Sequence, residues 1–316
     1  MDEKRWNCTE GEAHWDGDPD TEEGPVQLNE FSLLEVLGRG SYGKVMIAER
    51  CVGEQPFRKF AVKVASRHRL RRLAEYVNNG EGMKKVTAED KMRREIDIMR
   101  HLYHRNVVLL FQVLEDEDYL CMVMEYMAGG ATMNFDKESQ TFCRPSEEQV
   151  YTEDRALAML RNLCDGLQYL HGEGIVHRDI KPDNLMLYDG GTLRIGDFGC
   201  AIKINQGDRL KETVGTYSFF APESVAGDSQ GFDPYGVDIW AAGITLYSWL
   251  FGGVPFSADG VEPLFEAIRN EPLDLGSSLS LEIQELMAGM LMKDPDERFA
   301  LPQCLERCQA VGTETK

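Results

Sequence analysis

The sequence predicts an α+β fold in two lobes: a small, mainly antiparallel β lobe with one main helix, then a larger, mainly α-helical lobe. Three observations carry this. Apolar and polar residues alternate in short runs from Phe31 to about residue 66, and strand-like runs return at "VVLLFQVLED" and "YLCMVMEYM". The apolar spacing shifts to about 3.6 in "AEDKMRREIDIMRHLYH" and again in "TEDRALAMLRNLCDGLQYLHGEG". The change of character falls at Met127-Ala128-Gly129-Gly130, which places the joint between lobes near residues 125–130.

In chain order, residues 1–26 are acidic and rich in Gly, Asp and Glu, and are expected to be disordered or loosely attached. "FSLLEVLGRGSYGKVMIAERC" reads as strand, glycine turn, strand, and "RKFAVKVAS" as a third strand. A charged stretch leads into the helix that contains "RREIDIM". The small lobe is assigned to 27–127, the large lobe to 128–310 and a short tail to 311–316. Within the large lobe, Gly172 and Gly174 stop the long helix. The uncharged run Ile239 to Ala258 has membrane-spanning length, but Gly252, Gly253 and Pro255 break it, which predicts a buried helix and no membrane span. No internal repeat is present.

With 316 residues, 42% hydrophobic and 28% charged, the chain has the composition of a soluble globular protein. Its net charge of −20 disfavours nucleic acid and anionic membranes as partners; the acidity serves solubility or recruits basic segments. Eight cysteines without a C-x-x-C pair predict reduced thiols and a cytoplasmic setting. The N-terminal residues lack the apolar stretch of a secretory signal. Neither a myristoylation glycine nor a prenylation box is present.

Four constellations carry chemistry. "GRGSYGKV", Gly38 to Val45, is a G-x-G-x-x-G-x-V whose last glycine opens a strand and not a helix. That excludes a dinucleotide-binding loop and leaves either a flap over phosphates or a ligand-free hairpin. Lys63 in "FAVKV" becomes a phosphate ligand if a carboxylate orients it, and Glu95 is the candidate; otherwise both are surface charges. "IVHRDIKPDNLML" supplies Asp179 to accept a proton from an attacking hydroxyl, Lys181 to neutralise a moving phosphoryl group, and Asn184 to offer a carbonyl oxygen to a hard cation. Thirteen residues further, Asp197 of "GDFG" is placed to ligate Mg²⁺.

With these motifs in this order, residues from about 27 to 310 resemble a eukaryotic-type Ser/Thr protein kinase. The resemblance implies the bilobal protein kinase fold, ATP and Mg²⁺ as cofactors, and protein substrates, other kinases among them. It implies an ATP site built from Leu37, Gly38, Arg39, Gly40, Ser41, Tyr42, Gly43, Lys44 and Val45, with Val45, Ala61 and Met186 around the adenine. Met124 is then the gatekeeper, and Glu125 and Met127 bond the ring through their backbone. Met99, Leu110, His177 and Phe198 fit an apolar spine; "DIWAAG" fits a central buried helix, and Arg298 fits the partner of Glu223. Within the kinases, "VQLNEFSLLEVLGRGSYGKV", "GGATMNF" and "GFDPYGVDIWAAGITLY" are similar to the calcium/calmodulin-dependent protein kinase kinases. That group phosphorylates activation-loop threonines of other kinases and is regulated by calmodulin through a segment not seen in this chain. At the place of that group's proline- and basic-rich insert this chain has a stretch that is basic at first and holds no proline.

Three expectations concern control. Glu212, three residues before Gly215, sits where many kinases carry a loop phosphate, and its carboxylate either meets Arg178 or points to solvent. Thr213 beside it remains a phosphate acceptor. Arg67, Arg69, Arg71 and Arg72 form either a solvated loop or a dock for an acidic segment such as the chain's own N-terminus. Ala131 after the Gly-Gly of the hinge disfavours selection of arginine in the substrate, and Thr216 is matched to the threonine that supports Asp179 and Lys181. The rival readings are a pseudokinase-like scaffold, a Ser/Thr kinase acting on proteins that are not kinases, and a small-molecule phosphotransferase.

Overall fold

The computed structural model describes residues 8–20, 26–40, 43–50, 58–78, 83–145, 150–227 and 230–310. The chain forms two compact units, one of residues 1–104 with 108–127, the other of 105–107 with 128–316.

In the first unit, β1 (Thr9–Glu12), β2 (Trp15–Asp16), β3 (Val26–Leu28), β4 (Phe31–Arg39), β5 (Gly43–Arg50), β6 (Arg58–Ser66), β9 (Leu110–Glu115) and β10 (Tyr119–Glu125) make one sheet. Its order is β1-β9-β10-β6-β5-β4-β3-β2. All pairings are antiparallel except β1 with β9. The alternation seen in the sequence buries Leu28, Phe31, Leu33, Ala48, Phe60, Val62, Val64, Leu114, Cys121 and Val123 in one cluster. Phe60 takes Phe31 and Phe111 edge-on, each at 5.3 Å between ring centres, an arrangement aromatic quadrupoles favour.

The disorder expected of the N-terminal extension is corrected by this sheet over residues 9–16. Thr9–Glu12 pairs with Gln112–Glu115, Trp15–Asp16 pairs with Gln27–Leu28, and Ala13 between them lies in the buried cluster. Acidity misled because the segment's side chains are mostly exposed, while its backbone groups complete a sheet edge. Residues 1–7, 21–25 and the tail 311–316 lie outside the described residues.

The charged stretch after β6 holds a six-residue helix, α1 (Arg67–Arg72), and a hairpin of β7 (Ala74–Asn78) and β8 (Met83–Thr87). The main helix of the unit, α2 (Ala88–Met99), starts where Thr87 and Asp90 form a reciprocal cap. Thr87 Oγ1 accepts from the Asp90 N–H at 3.1 Å, and Asp90 Oδ2 accepts from the Thr87 N–H at 2.8 Å. The basic cluster lies on a helix and not a loop, and it is not the seat of the described N-terminal segment; Arg69 and Arg72 are exposed, while the other two are engaged. Arg67 and Arg71 of α1 donate to the Glu89 carboxylate at 3.0 and 2.7 Å, and Arg93 adds a third bond at 3.2 Å.

The second unit is built around α3 (Glu153–Gly172) and α4 (Pro234–Phe251). Ahead of α3 comes a small hairpin, β11 (Asn134–Asp136) with β12 (Thr141–Cys143). Two short strand pairs follow α3: β13 (Ile175–Val176) with β16 (Ile202–Lys203), and β14 (Leu185–Leu187) with β15 (Leu193–Ile195). Helices α5 (Val261–Asn270), α6 (Leu281–Met290) and α7 (Leu301–Ala310) complete it, α7 packing on α3 and α6 on α4. Asp233 caps α4 by accepting the Gly236 N–H at 2.8 Å, and Gly252 at φ 74 ends it, as the glycines in the uncharged run predicted. No helix among the described residues is long and apolar enough to cross a membrane.

Arg298 and Glu223 form a fork-to-fork pair at 2.6 and 2.8 Å, with the Arg298 side chain only 1% exposed. The guanidinium also donates to the carbonyls of Met292 and Gly236. A charge so enclosed depends on its partner. Arg298→Met is expected to lower the unfolding free energy of the full chain by about 3–5 kcal/mol, measured by urea denaturation, because it strands the Glu223 carboxylate.

Candidate active site

The candidate residues divide between the units. In the first, strand register decides which side chains share a face. Lys63 and Ala61 are two apart on β6, so they point the same way. Val45 stands opposite Lys63, and Met124 stands opposite Ala61. Directly paired residues project to one side of a sheet, so Val45, Ala61, Lys63 and Met124 form one continuous face. On it, Lys63 Nζ donates to both Glu95 oxygens of α2 at 2.9 and 2.8 Å. Glu95 is 6% exposed, so the pair is an internal one and not a surface contact.

The glycine turn joins β4 to β5, and the Gly40 N–H donates to the Gly43 carbonyl at 2.9 Å. Gly43 cannot be another residue without backbone movement, because a Cβ there would lie 1.9 Å from the Val64 carbonyl oxygen. Leu37, Gly38 and Arg39 end β4, and Lys44 pairs with Arg39. Ser41 and Tyr42 lie outside the described residues. The Glu125 N–H donates to the Leu109 carbonyl at 2.9 Å, and Met127 closes the unit.

In the second unit, β13 delivers the chain into the stretch His177–Asn184. Asp179 is the centre of a closed hydrogen-bond circuit. Lys181 Nζ lies 2.9 Å from Asp179 Oδ2 and donates to Thr216 Oγ1 at 2.8 Å. Thr216 in turn donates to Asp179 Oδ1 at 2.9 Å. Asn184 Nδ2 donates to the Asp179 carbonyl and to Oδ2 at 2.8 and 2.9 Å. Burial works against the Asp179 carboxylate, but the Lys181 charge and bond, with the Thr216 bond, outweigh it and hold the pKa below the usual carboxylate range. Asp179 is therefore ionised at neutral pH.

Asn184 spends its amide nitrogen on Asp179, which fixes the side-chain orientation; its carbonyl oxygen accepts no hydrogen bond among the described residues. The Gly196 N–H donates to the Asn184 backbone carbonyl at 2.9 Å and brings the exposed Asp197 beside it. A free amide oxygen and an exposed carboxylate suit Mg²⁺, which takes few protein ligands and keeps waters and phosphates. Among the described residues no cluster of three or more His, Cys, Asp or Glu side chains gathers for a metal. Met186 on β14 is half-buried and bridges to Ala131.

Two of these residues hold backbone angles that side chains disfavour: Arg178 at φ 65 and Asp197 at φ 54. The group that fixes the first was missed in the sequence. Asp238 of α4 has no exposed surface and accepts the N–H groups of His177 and Arg178, each at 2.9 Å, and His171 Nε2 at 2.9 Å. Burial alone would raise its pKa; the His171 bond and charge and the His177 backbone bond bring it below the usual range. A lone carboxylate inside the otherwise uncharged "VDIWAAGITLYSWL" was the available signal, since an unpaired charge is not tolerated there. His177 also donates Nε2–H to the Gly196 carbonyl at 2.9 Å and takes the Phe198 ring edge-on at 5.1 Å.

Glu212 is exposed and lines the same recess as Arg178, but forms no ion pair among the described residues. Of its two expected readings, the solvent-facing one describes the structure. Thr213 donates to the Ser224 carbonyl at 2.7 Å. Tyr217, in place of the more usual proline, is half-exposed and meets Phe220 and Phe265 edge-on.

Residues 31–308 match the family model described as the protein kinase domain. The chain is 35% identical over 291 residues to a calcium/calmodulin-dependent protein kinase kinase of Caenorhabditis elegans, covering 87% of this chain and 51% of that protein. It is 34% identical over 281 residues to serine/threonine-protein kinase stk11 of Xenopus laevis, covering 87% and 60%. With serine/threonine-protein kinase GRIK2 of Arabidopsis thaliana it shares 32% over 296 residues, covering 93% and 68%. The chain thus spans about half the length of the worm relative.

The Asp238 hub gives a test by pH. A carboxylate whose folded pKa is depressed contributes stability above its unfolded value, near 4, and loses it as pH falls through the folded value. Asp238→Asn is expected to cost about 1–3 kcal/mol at pH 7, since at least one buried N–H loses its acceptor. The gap to the parent should narrow below pH 4 in urea titrations run across pH.

Proposed function

Because the chain belongs to the protein kinase family, we propose that it transfers the γ-phosphate of Mg-ATP to Ser/Thr hydroxyls of proteins, and that its acceptors are activation-loop threonines of other kinases. The observation that carries the first part is the circuit of Asp179, Lys181, Thr216 and Asn184. It holds one ionised carboxylate beside one ammonium group with every hydrogen bond directional. Asp179 orients the acceptor hydroxyl and takes its proton. Lys181, within reach of Asp179, neutralises charge that develops on the transferred group. Lys63, held by Glu95, holds the nucleotide phosphates, and the face of Val45, Ala61 and Met124 receives the adenine. Glu125 offers its carbonyl to the ring, since its N–H already donates to Leu109. Asn184 and Asp197 are the ligands for magnesium, which would supply neutralisation of the phosphate charge.

Support for kinase acceptors comes from the worm relative, whose name describes a kinase acting on a protein kinase. Calcium and calmodulin enter by the same name alone.

Asp179→Asn is expected to lower phosphate transfer from labelled ATP by about 10²–10⁴-fold with ATP affinity retained. Full transfer by that variant would overturn the assignment. Parallel assays with activation-loop peptides of other kinases and with a generic basic peptide test the acceptor class; equal rates on both would sink the kinase-directed reading.

A further inference from the structure

The segment Thr9–Asp16 does something unusual in the sheet: its two strands lie at opposite ends of the strand order, joined only through Ala13 and His14. It therefore bridges the two free edges. Ala13 is buried and its N–H donates to the Glu115 carbonyl at 2.9 Å. The Asn29 side chain donates to the Glu12 carbonyl, and the Asn29 N–H to the His14 carbonyl, both at 2.9 Å. Trp15 Nε1 donates to Asp116 Oδ2 at 2.7 Å, and its ring meets Tyr119 edge-on at 5.3 Å.

The same segment reaches α2. Glu10 pairs with Arg100, the residue that closes α2. Arg93 of α2 donates to the Glu115 carboxylate at 2.7 Å, and Glu115 gives its backbone carbonyl to Ala13. Arg93 and Arg100 are seven residues apart and so lie on one face of the helix. Glu95, which holds Lys63, lies between them in sequence and on another face. Two ion pairs on one side thus fix the rotation of α2 that presents Glu95 on the other.

We propose that residues 9–16 form a cis-acting strap that holds α2 against the sheet, with Glu10 a positioning residue for the Lys63–Glu95 pair. Its effect on catalysis rests on the phosphotransfer reading above; its effect on α2 does not. Lys63 and Glu95 are the residues assigned to nucleotide, so loosening α2 acts on ATP and not on the peptide acceptor.

The test uses the full chain. Glu10→Arg sets two positive charges against each other at the end of α2. Amide exchange over 93–100, measured without nucleotide, is expected to quicken, and KM for ATP to rise about two- to fivefold, the scale of a partly exposed pair. KM for the peptide acceptor should not move. Adding Arg100→Glu, which restores opposite charges, should return both readouts to the parent values. Unchanged exchange and KM in Glu10→Arg, or a double variant that does not recover, overturns the proposal. So does an equal rise of exchange in α3 and α4, which marks general destabilisation. Faster exchange over 93–100 that the swap reverses, in a protein without phosphate transfer, upholds the strap and counts against the phosphotransfer reading alone.

Discussion

The buried carboxylate of Asp238 is what the loop around Asp179 depends on. Holding Arg178 at φ 65 costs on the order of 1–3 kcal/mol. Hydrogen bonds to a charged acceptor contribute about 1.5–3 kcal/mol each, and Asp238 receives two from this loop's backbone and one from His171. The magnitudes favour the strained form. That form lets His177 turn inward to Gly196 and Phe198 while Asp179 turns the other way to Lys181 and Thr216. The hub is on α4, the most apolar helix, whose remaining charges are absent and whose position is set by packing. Chemistry on the loop is thus tied to the rigid core of its unit.

A second constraint acts from the other side of Asp179. Gly215 sits at φ 123, and a Cβ there would come within 2.4 Å of the Arg178 carbonyl oxygen and 3.2 Å of Asp179 Oδ1. Only glycine lets the segment before Thr216 approach this closely, and the approach is what allows the Thr216 hydroxyl to join the circuit.

Much of this was legible in the sequence because local pattern and global fold agree. The alternation in "RKFAVKVAS" gave β6, the Gly-x-Gly-x-x-Gly before a strand gave the turn between β4 and β5, and Gly252 marked the end of α4. The pair Lys63–Glu95 was legible as a candidate, but Arg298–Glu223 only through resemblance, since no spacing rule brings together residues that distant. Three features were not legible. The role of Asp238 depends on which backbone groups face it. Arg67 and Arg71 of α1 looked free because their partner Glu89 lies on the next helix. The N-terminal strands are acidic and short, and their stabilisation comes from edges supplied by β3 and β9 and not from their own propensity.

The closure of that sheet also bears on the order in which the molecule is made. Trp15 and Asp116 are 101 residues apart in sequence, yet bonded. During synthesis, at about 5–20 residues per second, residues 9–16 wait several seconds before β9 exists to receive them. Until then, the edge of β3 can take Trp15 and Asp16, but nothing can take Thr9–Glu12. The earliest of these strands to be synthesised is thus among the last to dock, and the sheet grows from its β2 edge towards β1.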